Sequence, residues 1–539
     1  MVGGGVRNLL LGQKIKDFDL ATSAQPREIL KLFPDSFYNN AFGTVGIKTP
    51  VGVVEVTTFR KDGSYSDKRH PDKISFARAI EEDLKRRDFT INALALTLNN
   101  PPTKISGNPL FKKKIRHGQK VIHFSETLNP RAVNQGPGIE GEERNLIEIA
   151  EIPQLGTGEY PIYRIPDITF SPQVKASIRQ TAVDLFSGVS DLEKGLIRAV
   201  GDPQKRFQED ALRLLRAVRF AVELGFKIER KTADSIRKNS ALLKKISRER
   251  MRDELTKIIE SAWPAEGIVL LHRLNLLKHV LPTLEEGVGV EQNWHHIYSV
   301  FNHSVLSLKF CFSDELVVRL AALLHDAAKP RVKRIGKGVQ ATFHFHEVEG
   351  EKLAREVLND LRFPSNVVTE VALLVKHHMF NYDPALHNEK TVRRLLHRVG
   401  GNERMAKLLV LRIGDRLGSG CKKGEVYKLR QLKYLIEKVS ADPISLKQLK
   451  VNGQDLMNDL KLKPGPTLGS LLDILLAQVV ENPALNKRKK LLEIADKIWL
   501  TEKQNPGYLE KEGSTAKNYL EGKVEERNEK LQRKYWVEG

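Results

Sequence analysis

The stretch GGGVRNLLLGQKIKDFDLATS, residues 3–23, poses two questions: what the glycines are for, and why two aspartates stand two apart. A dinucleotide fingerprint needs G-x-G-x-x-G after a strand, and a P-loop needs G-x-x-x-x-G-K-[ST]. Gly3, Gly4, Gly5 and Gly12 fit neither pattern, and only Val2 stands where a strand should lead in. One reading is a flexible chain start. The other is a strand end, Val2-Gly3-Gly4, whose missing side chains let a phosphate approach backbone N–H groups. On that second reading the upstream half of the strand is absent. This predicts a misplaced start codon or fragmentary gene model, with natural truncation as the alternative.

Asp17 and Asp19, if on a strand, point to one face. Adjacent anionic oxygens repel, so the pair favours a divalent cation between them. VGVVEVTTFR (51–60) has the alternation and β-branching of a strand, and its Glu55 offers a third carboxylate. Metal held this way activates an attacking hydroxyl and stabilises a leaving phosphate. A lone D-x-D also occurs as a solvated strand edge or turn, so the setting matters. Arg7 precedes it, and LKRRDFTINALA (84–95) follows with Arg86 and Arg87, cations suited to a triphosphate.

At 539 residues the chain has room for three or four domains. Its charge balance is that of a globular protein, but a formal net charge of +21 and a pI near 9.6 point to a polyanionic partner. The two cysteines, Cys311 and Cys421, exclude a disulfide framework and a Cys-based zinc site, and fit a cytoplasmic protein. The longest apolar run, LLDILLAQVV (471–480), is too short to span a bilayer.

Residues 1–99 alternate strand and helix signals, and FARAIEEDLKRRDFTINALAL (76–96) reads mostly as helix. Successive breakers such as NNPP and NQGPGIEGEE mark 100–180 as an insertion with little regular structure. From about 184 apolar residues recur at three and four through RFQEDALRLLRAVRFAVELG (206–225), ERMRDELTKIIESA (249–262) and DELVVRLAALLHDAAK (314–329). A further helical block runs over 430–500, and the charged stretch from Thr501 reads as poorly ordered. The expected fold is α+β: a head with a mixed sheet over 1–200, a helical neck over 201–290, a further helical domain over 291–430, a body over 431–500 and a tail over 501–539.

Within the neck, Asp210, Arg213, Arg216 and Arg219 recur at intervals of three. Without context they form one face of an exposed helix with ion pairs such as Glu209–Arg213. Downstream, NHSVLSL (302–308), LAALLHDAAKP (320–330) and LVLRIGDRLGSG (409–420) supply His303, the dyad His325–Asp326 and Asp415. A buried histidine satisfied by a neighbour is the ordinary case. Four such residues on successive apolar helices suit a divalent metal. His346, His377 or its neighbour His378, and Lys329 are candidates to complete a second metal position or contact a phosphate.

Together GGGVRNLLLG, KDFDLATS, VEVTTFR, DLKRRDFTINALA, DLFSGVSDLEKGLIRAVGDP and RFQEDALRLLRAVRFAVELGF resemble the class II, bacterial-type CCA-adding tRNA nucleotidyltransferases. This family belongs to the polymerase β superfamily and shares its head with bacterial poly(A) polymerases. The resemblance covers residues 2–99 and 183–260, and NGQDLM with KPGPTLG extends it into the body. It implies a polymerase β-like head, with Gly4, Arg7 and Arg87 at the triphosphate and Mg²⁺ on Asp17 and Asp19. It also implies that Asp210 and Arg213 read the incoming base, with Arg216 and Arg219 deeper in the pocket. CTP, ATP and the acceptor and T arms of tRNA are the implied partners. One departure is Asn8, where the family usually has Asp. The H…HD…D quartet resembles an HD phosphohydrolase domain, with a metal of unspecified identity; an inert HD fold is the alternative. Rival functions are poly(A) addition, A-only or CC-only addition, a hydrolase with an RNA-binding head, and RNA binding without chemistry.

Overall fold

The computed structural model describes residues 1–13, 15, 19–38, 43–49, 52–63, 74–96, 182–292, 297–335, 341–421, 423–440, 446 and 449–537. Asp17 and all of the expected insertion lie outside them. The chain forms two compact units. The first comprises the described residues of 1–379 with 407–424, and the second those of 380–406 with 425–539. A small mixed sheet followed by a predominantly helical chain makes the fold α+β.

The head sheet has strands β1 (Asp19–Thr22), β2 (Ser36–Tyr38), β3 (Thr44–Thr49) and β4 (Gly52–Thr58), in the order β1-β4-β3-β2. β1 runs parallel to β4, and the other pairings are antiparallel. Val45 and Val56 bury one face against Ile29 of the helix Pro26–Leu32. That helix starts with Pro at its first turn and a capping box between Gln25 and Glu28, which satisfies N–H groups left over at a helix start. The parallel register sets Asp19 opposite Glu55.

Strands β5 (Arg60–Asp62) and β6 (Ile74–Phe76) form a hairpin, and β7 (Leu94–Leu96) pairs with β8 (Ala182–Asp184). Val2 sits between two sheets: it bridges Ala95 and its N–H donates to the Asp19 carbonyl at 2.9 Å. The expected strand end is therefore one residue long, because Gly4 already opens the helix Gly4–Leu10. Gly3 makes the turn at φ +69°, a conformation that L side chains rarely adopt, and Arg87 Nη1 would lie 2.5 Å from any Cβ placed there.

The segment 76–96 is not one helix. Helix stops at Ile80–Lys85, a short 3₁₀ turn follows at Thr90–Asn92, and the chain then joins β7. The Asp88 side chain accepts from Phe89 N–H at 2.8 Å, a local bond that competes with helix continuation. Gly188 lies so close beneath this turn that a Cβ would meet the Thr90 carbonyl oxygen at 2.2 Å.

Beyond the head, the first unit is built from helices, among them Pro203–Glu209, Arg213–Leu224, Arg248–Glu260, Val300–Lys309, Leu316–Leu324, His346–Asp360 and Ser365–His377. The second unit packs Leu456, Leu471, Leu475, Leu491 and Leu509 in one core. Its last helix, Tyr508–Tyr535, corrects the expectation of a poorly ordered tail. Leu509, Gly513, Ala516, Leu520 and Leu531 are buried at helical spacing along it. Burying residues such as Leu509 and Leu520, at about 1.5–3 kcal/mol each, offsets the cost of ordering a charged segment. Gly513 permits the closest approach, since a Cβ there would meet Ser470 Cβ at 2.4 Å. No described helix is long and apolar enough to cross a membrane.

Candidate nucleotide site and candidate metal centre

Nine of the residues singled out from sequence line one cavity of about 590 Å³: Gly4, Arg7, Asp19, Arg86, Arg87, Asp210, Arg213, Arg216 and Arg219. That volume lies in the usual range for a small-molecule site. The helix Gly4–Leu10 brings in Arg7, β1 brings Asp19, and the turn after Ile80–Lys85 brings Arg87. Glu55 does not line the cavity; it stands beside Asp19 in the parallel register.

Asp210 and Arg213 are not on one helix. The helix Pro203–Glu209 ends at Asp210, whose backbone is extended, and the next begins at Arg213. Asp210 Oδ1 accepts from Leu212 N–H at 3.0 Å, a turn that replaces the helical bond. The Glu209–Arg213 ion pair does form, at 2.7 Å, but across this break. Arg213 also donates to the Arg206 and Arg86 carbonyls, at 2.9 and 3.0 Å. Of its five N–H donors, Nε–H and one hydrogen on Nη2 remain for a ligand. Asp210 Oδ2 accepts from Arg250 at 3.3 Å and keeps capacity for a second donor.

The remaining arginines, apart from Arg7, are held by carboxylates. Asp83 accepts from Arg86 and Arg87, at 2.7 and 3.1 Å. Burial would raise its pKa, but the two guanidinium charges hold it below the usual range. Asp88 accepts from Arg216 at 2.5 Å, and that charge likewise overrides burial and holds the carboxyl far down. Arg219 donates to Glu254 at 2.9 Å. Arg219, Arg7 and Arg216 surround the Phe220 ring, with guanidinium carbons 4.3, 5.1 and 5.3 Å from its centroid. Asp88, Asn92, Phe220, Arg250 and Glu254 escape sequence reasoning. Their roles depend on contacts between distant segments, and only the R-R-D run hints at Asp88.

The second constellation assembles His303, His325, Asp326, Asp415, His346 and His378 in the buried interior of the first unit. Asp326 forks between them. Its Oδ2 lies 3.1 Å from His303 Nε2 and 3.3 Å from His325 Nε2. Its Oδ1 lies 3.4 Å from His346 and 3.7 Å from His378. Asp415 Oδ1 lies 3.3 Å from His303. Lys329 Nζ lies 2.7 Å from Asp326 Oδ2. The histidine that joins is His378, at the helix cap, not His377 on the last turn before it.

His325, His346 and His378 each turn Nδ1 to the carbonyl three residues earlier, at 2.9, 2.8 and 2.6 Å. Bonds of this kind place the proton on Nδ1 and leave the Nε2 lone pair facing the cluster, as a metal ligand requires. Burial would lower the His325 pKa, but the Asp326 and Asp415 charges push it up to about 10. Burial and the His325 charge push His378 down to about 3. Two anionic groups thus draw protons into a buried site, the same electrostatic demand that a divalent cation would meet. Ligand atoms of His303, His325 and Asp415 lie within 4.8 Å of one another, as do those of His325, Asp326 and His378. Imidazole and carboxylate donors at this spacing fit such an ion.

Residues 1–105 match a family model described as "Poly A polymerase head domain", and 225–287 one described as "Probable RNA and SrmB- binding site of polymerase A". Residues 341–495 match the model for a second domain of tRNA nucleotidyltransferases. The CCA-adding enzyme of Lactiplantibacillus plantarum is 27% identical over 501 residues, covering 92% of this chain and 91% of that one. The CCA-adding enzyme of Lactobacillus helveticus is 37% identical over 258 residues, covering 48% of this chain and 45% of that one. Among solved structures, Bacillus stearothermophilus CCA-adding enzyme in complex with CTP is similar, with a TM-score of 0.50, 25% identity and 94% of both chains covered.

Proposed function

We propose, from the premise that the chain belongs to the bacterial-type CCA-adding tRNA nucleotidyltransferase and poly(A) polymerase family, that it adds C and A to the 3′ end of tRNA from CTP and ATP without a nucleic-acid template. The carrying observation is that Arg7, Asp19, Arg87, Asp210 and Arg213, from separate segments, line one cavity.

Arg7 and Arg87 hold the triphosphate, and Asp19, with Glu55 beside it, provides carboxylate oxygens suited to Mg²⁺. Asp17 is assigned to the same role. When bound, the cation neutralises charge on the phosphates and favours the deprotonated 3′-hydroxyl. The hydroxyl attacks the α-phosphate and pyrophosphate leaves. Asp210 accepts from the exocyclic amino group of cytosine or adenine, and Arg213 donates to the adjacent ring nitrogen. Uracil and guanine present a carbonyl where Asp210 needs a donor. Arg216 and Arg219 lie deeper in the same pocket. A tRNA lacking its CCA end, offered CTP alone, ATP alone and both together, tests this reading. Addition of CC, then A, supports it; ATP-only or CTP-only addition moves the assignment to a relative with narrower specificity.

The buried constellation favours a second activity. His303, His325, Asp326 and Asp415 hold a divalent metal, with His346 and His378 on the far oxygen of Asp326, in a phosphohydrolase centre. The single observation behind it is the set of Nε2 atoms turned inward around Asp326. His325→Ala is expected to lose bound metal by elemental analysis and to lose hydrolysis of a 2′,3′-cyclic phosphate. Unchanged metal content and turnover would leave an inert structural fold. The lysine-rich body over 431–500 is assigned to the tRNA acceptor and T arms, and the protein to the cytoplasm. The head is placed at 1–200, the neck at 201–290 and the metal-binding domain at 291–430.

A further inference from the structure

Seven arginines line the cavity, and six of them bond to a carboxylate, Arg86 and Arg87 sharing one. Arg86 and Arg87 pair with Asp83, at 2.7 and 3.1 Å, and Arg213 pairs with Glu209 at 2.7 Å. Arg216 pairs with Asp88 at 2.5 Å, Arg219 with Glu254 at 2.9 Å, and Arg250 with Asp210 at 3.3 Å. Arg7 differs. Its Nε and Nη2 donate to Asn8 Oδ1, at 3.1 and 2.9 Å, and its Nη1 donates to Asn92 Oδ1 at 2.7 Å. Among the described residues no carboxylate stands within ion-pair distance of it, and the charges of Glu223 and Asp88 act on it only from farther away.

The orientation of this cradle is fixed. Asn92 Nδ2 donates to Asp88 Oδ1 at 3.1 Å, which leaves the Asn92 oxygen for Arg7. Asp88 is in turn locked to Arg216. A guanidinium held by amide oxygens is positioned by hydrogen bonds yet keeps more of its charge than one bonded to a carboxylate, which has most of that charge cancelled nearby. Arg7 is also buried, so its field is poorly screened by solvent.

We propose that Asn8 and Asn92 are positioning residues that hold Arg7 without a bonded carboxylate, making it the principal polyphosphate anchor of the cavity, with residue 8 setting how tightly a nucleoside triphosphate binds. This rests on the nucleotidyltransferase reading for the identity of the ligand, but it concerns binding and can be measured without turnover. Asn8→Asp keeps the shape and both acceptor contacts while adding one negative charge beside Arg7. Asn8→Ala removes the acceptor and adds no charge.

The test is calorimetric titration of the full-length wild type, Asn8→Asp and Asn8→Ala with CTP and with CMP, each in Mg²⁺ at two salt concentrations. Asn8→Asp is expected to weaken CTP about tenfold or more, since a unit charge at this range acts on the polyphosphate with well over 1 kcal/mol. Asn8→Ala should weaken CTP less than Asn8→Asp does. CMP, which lacks the β and γ phosphates, should be weakened far less than CTP by Asn8→Asp, and the salt dependence of CTP binding should fall. Wild-type CTP affinity in Asn8→Asp overturns the proposal, as does an equal loss of CTP and CMP or a larger loss in Asn8→Ala. If the expected pattern appears but the wild type adds nothing to tRNA, the functional reading fails and this inference stands. No CTP binding by the wild type overturns both.

Discussion

Asp19→Ala is expected to reduce nucleotide addition by about a thousandfold or more, equivalent to roughly 4 kcal/mol of lost transition-state stabilisation. The reason is local. Of the carboxylates on the cavity wall, Asp88 is taken by Arg216 and Asp210 by Arg250, whereas the parallel register sets Glu55 beside Asp19. Removing Asp19 takes away a carboxylate oxygen that would hold the cation beside the reacting phosphate. Stability should change little, because Asp19 is only half-buried at the start of a strand. Affinity for tRNA should also persist, because phosphate contacts elsewhere on a basic protein supply it. Single-turnover addition of CMP, with tRNA binding measured in parallel, checks both halves. Addition at the wild-type rate removes Asp19 from the chemistry.

Glu254→Ala should give the largest loss of stability, about 3 kcal/mol, because it removes the short partner of a buried charge. Glu254 and Arg219 are 4% and 6% exposed, and their 2.9 Å contact crosses between two neck helices. Burial pushes the Glu254 carboxyl up and the Arg219 guanidinium down, despite each partner's charge. Glu254 Oε2 is buried without a hydrogen-bond partner. The pair therefore contributes little net stability, yet losing Glu254 is costly because Arg219 keeps only the longer contact to Glu223 Oε2, at 3.6 Å. Urea unfolding should show the loss in Glu254→Ala. The double variant Arg219→Met with Glu254→Leu should recover most of it. A single variant as stable as the wild type would show that Glu223 or solvent in the cavity suffices to compensate Arg219.

Locally encoded features of this fold and site are legible in the sequence. The alternation of VGVVEVTTFR marks β4, and the glycine run with Arg7, the R-R-D run and the E-D-x-x-R run each name cavity residues. What periodicity cannot show is where a side chain captures the backbone. Asp210 ends one helix through its own turn, and Asp88 does the same after Ile80–Lys85. The pairing of six arginines with carboxylates is equally hidden, because Asp88–Arg216 and Arg219–Glu254 join residues far apart in sequence. His377 and His378 are adjacent, and only the helix phase puts the second beside Asp326. The last helix escapes a reading by composition because its charged residues mask a sparse stripe of small and apolar ones.

The claim at the centre of this account is that Asp210 and Arg213 select the base in place of a nucleic-acid template. The direct measurement is single-nucleotide addition to tRNA lacking its 3′ end, with CTP, ATP, UTP and GTP supplied separately to the wild type and to Asp210→Ala. The wild type should add C and A and exclude U and G. Asp210→Ala should lose this discrimination by about 1–3 kcal/mol, roughly five- to 150-fold, as expected for one base-reading contact. Wild-type selectivity retained in Asp210→Ala, or free use of UTP and GTP by the wild type, would contradict the account.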